Sequence, residues 1–61
     1  MTDHQKDEIV SKAQEVSKYA FMLSFAVSFP NDQALIAHNR ENLKLSTNEL
    51  LELVGEGVND E

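Results

Sequence analysis

The sequence predicts an all-α protein: an antiparallel helical hairpin with a short third C-terminal helix, assembling as a helical-bundle homodimer. Three observations carry this expectation. Ile9, Ala13, Val16, Ala20, Leu23 and Val27 are spaced 4, 3, 4, 3, 4, the repeat of a helix that packs along one side. Pro30 and Gly55 stand where such helices would stop. Tyr19 to Phe29 carries no charge and holds all three phenylalanines and the one tyrosine, in a chain of 61 residues that has little with which to cover them.

The first helix is expected over residues 3–28. No proline or glycine interrupts Thr2 to Phe29, and good helix formers fill much of it. Thr2 and Asp3 are both available as N-caps, and Thr2 has Gln5 at the spacing of a capping box. Asp3, Asp7 and Glu8 suit the positive end of the helix dipole. Glu8 with Lys12 and Glu15 with Lys18 stand at the distances of intrahelical ion pairs. Opposite the apolar seam, Asp7, Ser11, Gln14 and Lys18 form a polar face. Further along, that face turns apolar at Met22, Phe25 and Phe29, with Phe21 on its flank. A helix apolar all round is normally buried all round.

A bilayer would need about 20 apolar residues; this run is shorter and lies between Lys18 and Pro30-Asn31-Asp32, so no membrane partner is expected. Burial against protein remains. One hairpin arm covers one side, and a second subunit covers the other. The residues expected at a dimer or partner interface are Val16, Tyr19, Ala20, Phe21, Met22, Leu23, Phe25, Val27 and Phe29.

Pro30 disfavours helical geometry at Phe29 and suits the first turn of a new helix. Asn31 and Asp32 supply capping oxygens there, so the connection is short and the neighbours antiparallel. A second helix is expected over 31–40. His38-Asn39-Arg40-Glu41-Asn42 is wholly polar and reads as a solvated turn. Ser46-Thr47-Asn48-Glu49 has capping-box spacing, with Leu45 and Leu50 placed as its hydrophobic staple. A third helix over 46–54 follows, turning Leu50, Leu51 and Val54 inward with Leu53 at the edge. The rival is one unbroken helix from Asn31 to Val54, seamed by Ile36, Leu43 and Leu50. Its intervening seam positions, Arg40 and Thr47, are poor, and the capping pattern favours the break. Gly55 then serves as C-cap. Residues 1–55 form a single helical domain, and 56–61 a flexible acidic tail.

A core in a chain this short rarely suffices without a disulfide, a metal or oligomerisation. Cysteine is absent, and His4 and His38 have no nearby cysteine or second histidine, so oligomerisation is the expected support and no metal or other cofactor is expected. The lack of cysteine also fits a cytoplasmic protein. The formal charge of −6 is uneven. Residues 45–61 contain Glu49, Glu52, Glu56, Asp60 and Glu61 without a lysine or arginine. These five form a candidate acidic partner surface, and they argue against direct nucleic-acid contact, which needs clustered cations.

No nucleophile elbow, phosphate-cradling glycine motif or catalytic constellation is marked out, so no catalytic residue is assigned and no enzyme is expected. The expected function is a small acidic interaction module that dimerises and modulates a partner protein. Accessory proteins of phages and mobile elements share that size and acidity. One alternative is an acidic nucleic-acid mimic that blocks a basic protein. A second is a weak helix-turn-helix regulator over Asn42 to Leu51, whose candidate recognition helix carries Glu49 and Glu52 but no base.

Overall fold

Thr2 starts the first helix. In the computed structural model, which describes residues 1–29 and 32–59, its hydroxyl accepts the Gln5 amide at 3.1 Å, and Gln5 Oε1 accepts the Thr2 amide at 2.7 Å. This reciprocal capping box satisfies donors that the first turn would otherwise leave open. Helix α1 runs from Asp3 to Ser28 and is closed by the Phe29 amide, which donates to the Phe25 carbonyl at 3.0 Å. Pro30 and Asn31 lie outside the described residues. Asp32 caps the next helix: its Oδ1 accepts the Ala34 amide at 3.0 Å and the Leu35 amide at 3.4 Å.

Helix α2 runs without interruption from Gln33 to Asn59. The expected turn over 38–42 and the separate helix over 46–54 are therefore corrected to one continuous helix. The polar run stays helical because it is divided between two environments. Asn39 faces inward and is 2% exposed, while His38, Arg40 and Glu41 face water. His38 Nε2 and Asn42 Nδ2 also pair one turn apart at 3.3 Å. The capping box at Ser46 does not form. Its two side chains are engaged by α1 instead, Ser46 with Glu15 and Glu49 with Lys12. No turn opens between Asn42 and Leu51, the stretch a helix-turn-helix would have to bend. Gly55 lies inside the helix rather than at its end, and residues 56–59 are helical rather than a loose tail; Asp60 and Glu61 lie outside the described residues.

The two helices form an antiparallel hairpin with extents of 44 × 14 × 11 Å. Their seam repeats at three and four on both sides. From α1 it takes Gln5, Ile9, Lys12, Val16, Tyr19, Leu23 and Ala26; from α2, Ile36, Asn39, Leu43, Ser46, Leu50, Leu53 and Gly57. At the open end Gly57 lies against Met1, where an added Cβ would stand 2.6 Å from the methionine Cε.

This seam corrects the expected one. Ile9, Val16 and Leu23 belong to both, but the positions between them are Lys12, Tyr19 and Ala26 rather than Ala20 and Val27, which face outward; Ala13 is half-buried on the flank. In α2, Leu53 turns inward with Leu50, while Leu51 and Val54 are exposed. What the hairpin encloses is small and polar. Among the described residues Ala26, at 1% exposure, is the one fully buried apolar side chain, and Asn39 and Ser46 are the buried polar ones.

Candidate functional site

The spacing of the helices divides the outside of the hairpin into two broad faces and two edges. One broad face carries a polar network. Lys12 lies in the seam, its apolar stem covered and its ammonium reaching outward. Its Nζ donates to Glu15 Oε2 at 2.8 Å and meets Glu49 Oε2 on α2 at 2.6 Å. The buried Ser46 hydroxyl donates to the same Glu15 oxygen at 2.9 Å. Lys12 thus pairs with Glu15 and Glu49 rather than with Glu8, which binds His4 at 2.6 Å instead. The hydrogen bonds it donates to Glu15 and Glu49 hold the Lys12 ammonium well above its ordinary range. The Lys12 ammonium, and then the Ser46 hydroxyl, hold the Glu15 carboxyl below its own.

These shifts set a pH window. A depressed carboxylate stabilises the fold above its ordinary value of 4.5, and that contribution fades as pH falls through the folded value. A raised lysine stabilises below 10.5, and its contribution fades as pH rises beyond it. Thermal midpoints followed by circular dichroism should therefore be flat between these limits and fall on both sides. Lys12→Met should flatten the acid limb, and added salt should do so in part because the pair is partly exposed. An acid limb as steep in Lys12→Met as in the parent would show that the network does not hold the hairpin.

At the open end of the same face lies a groove of about 400 Å³, lined by His4, Asp7, Glu8, Ser11, Lys12, Glu15 and Leu53. Among the described residues, no group of three or more histidine, aspartate or glutamate side chains is placed to hold a metal ion, and no helix is long and apolar enough to cross a membrane.

The other prominent surface is apolar and sits on α1 near the turn. Phe21 is 72% exposed, Phe25 54% and Phe29 75%. The Phe25 and Phe29 rings stack at 5.0 Å between centroids, tilted by 35°. Met22 and Leu35 extend the patch. Lys18 marks its border, with Nζ 5.9 Å from the centroid of the Tyr19 ring. Of the expected interface residues, the structure leaves Ala20, Phe21, Met22, Phe25, Val27 and Phe29 exposed and half-buries Val16, Tyr19 and Leu23 along the hairpin seam. A second, aliphatic patch stands at the open end on the opposite broad face, formed by Val10, Leu51, Val54 and Val58. The spacing of Leu51, Val54 and Val58 signals it once α2 is taken as one helix.

Charge divides the molecule lengthwise. The half towards the turn, residues 16–29 and 32–48, carries Lys18, Arg40 and Lys44 against Asp32 and Glu41, a net of +1. The open half, residues 1–15 and 49–59, carries Asp3, Asp7, Glu8, Glu15, Glu49, Glu52 and Glu56 against Lys6 and Lys12, a net of −5. Of the expected acidic surface, Glu49, Glu52 and Glu56 are exposed along this half of α2, and Asp60 and Glu61 lie outside the described residues.

The architecture places the chain in the class of all-α, two-helix antiparallel hairpins. Comparison with known proteins adds no narrower grouping: no family model, no curated protein and no solved structure matches it significantly.

Proposed function

We propose that the protein is a non-enzymatic interaction module of the cytoplasm that pairs with a second copy of itself and modulates a partner protein, in the manner of small accessory proteins of phages and mobile elements. The observation that supports pairing is the mismatch between what the hairpin encloses and what it leaves in water. Its buried apolar core is one alanine among the described residues, while Phe21, Phe25 and Phe29 lie more than half exposed. Fully covering a large apolar side chain is worth roughly 1.5–3 kcal/mol, and a domain of this size has a total stability of only about 5 kcal/mol. Covering three aromatics therefore changes the stability of the whole molecule.

Sedimentation equilibrium across the micromolar range tests the pairing. The expected result is a concentration-dependent mass rising to twice that of the chain; a single-chain mass at high micromolar concentration would overturn it. The excess of carboxylates in the open half supports a second reading, a mimic that occupies the nucleic-acid site of a basic protein. That reading expects tight, salt-sensitive binding to such a protein. Neutralising Glu49 and Glu52 and removing residues 56–61 should abolish it, and unchanged binding would dismiss it.

A further inference from the structure

Resting on the pairing reading above, we infer that two copies join through the turn halves of their hairpins. The patch of Phe21, Met22, Phe25 and Phe29 meets its own copy in a staggered, antiparallel overlap of turn half on turn half that sends the two acidic halves to opposite poles.

Three arrangements can be compared on charge and chemistry. Two hairpins laid side by side with the same ends together would set one open half, at −5, against another, and like charges in contact are costly. A full head-to-tail overlap of the aromatic-bearing faces would lay Phe25 and Phe29 against His4, Glu8 and Glu56 of the other copy, burying carboxylates against rings. The staggered overlap alone places uncharged surface on uncharged surface. From Tyr19 to Phe29 no residue is charged, and the halves that approach carry only +1 each. The overlap also brings Lys18, at one border of the patch, towards the tip of the other hairpin, where the exposed Asp32 stands. The patch is then self-complementary, and a two-fold axis near Phe25 closes the assembly at a dimer.

The absence of cysteine makes single-cysteine variants clean reporters. Ser28→Cys lies at the patch rim on the outer edge of α1, close to the proposed axis. Ser11→Cys lies in the acidic half, and Ser17→Cys on the opposite broad face. Under mild oxidation Ser28→Cys should form a disulfide-linked dimer, while Ser11→Cys and Ser17→Cys should remain single chains. Rapid self-linking of Ser11→Cys would overturn the stagger, and linking through Ser17→Cys would overturn the face. Phe25→Ser removes one ring from each side and should weaken pairing by roughly a hundredfold or more. Its helical circular dichroism should persist, because Phe25 lies outside the hairpin seam. Leu51→Ser, in the other apolar patch, should leave pairing unchanged; loss of the dimer in Leu51→Ser with retention in Phe25→Ser would overturn the assignment. Raising salt should change the dimer constant little, whereas a tenfold or greater strengthening would mean that the acidic halves lie together. These outcomes overturn the geometry while leaving pairing intact. A parent chain that sediments as a single chain would instead overturn both.

Discussion

Replacing Asn39 with leucine is expected to stabilise the hairpin by about 1–3 kcal/mol, and replacing it with aspartate to destabilise it by about 3 kcal/mol or more at neutral pH. Asn39 is 2% exposed, and its Oδ1 has no hydrogen-bond partner. A buried acceptor left unmade costs the desolvation of that group. Leucine has similar bulk, fits the seam repeat beside Ile36 and Leu43, and removes this cost. Aspartate adds a charge in the same enclosure. Its carboxyl would be pushed up by burial, so the folded state would favour the protonated form, and part of the lost stability should return on acidification. Urea unfolding at pH 7 and at acid pH measures both effects. Equal midpoints for the parent and the leucine variant would show that the Asn39 amide is satisfied in solution. A polar residue at one seam position also fixes the register of packed helices, which gives a reason for a sequence to retain an unfavourable side chain there.

Ala26→Leu is the second large effect, a loss of about 1–3 kcal/mol. Ala26 is enclosed near the turn, at 1% exposure, and the short connection allows the arms little room to separate. A larger side chain there must push the helices apart or leave its preferred rotamer. The cost should appear as a lower denaturant midpoint with the helical signal retained. A midpoint at or above that of the parent would mean that the helices are not in close contact at this level.

The first helix was legible almost to the residue, because its signals are local: Thr2 with Gln5 at one end, Pro30 just beyond the other, and no breaker between. The second was not, because the signals that suggested a break are also local, and contacts with α1 outweighed them. Ser46 and Glu49 have capping-box spacing, yet each has a better partner across the seam, in Glu15 and Lys12. The polar residues 38–42 looked like a turn because an asparagine is an unusual seam residue. Only the continuation from Ile36 through Asn39, Leu43 and Ser46 to Leu50 marks the helix as unbroken. The choice of seam face in α1 failed for a related reason. Two stripes share Ile9, Val16 and Leu23, and hydrophobicity favours the one through Ala20 and Val27. The folded chain uses the stripe with Lys12, because lysine can cover the seam with its stem while its charge binds two carboxylates. The aromatic patch was plain in the sequence, since Tyr19 to Phe29 is uncharged and apolar on sides that one packed arm cannot cover together.

That the seam leaves its larger apolar side chains only half-buried has a thermal consequence. The heat-capacity change of unfolding grows with apolar surface newly wetted and shrinks with polar surface. Among the described residues the seam fully encloses only Ala26, Asn39, Ser46 and Gly57, and leaves Ile9, Val16, Leu23, Ile36, Leu43, Leu50 and Leu53 half-buried. Unfolding the isolated hairpin therefore wets little new apolar surface and gives a flat stability curve and a broad melt. If two copies pair as proposed, the phenylalanine rings leave water and add a steep temperature response with its calorimetric signature, so differential scanning calorimetry at rising protein concentration should show the transition sharpen.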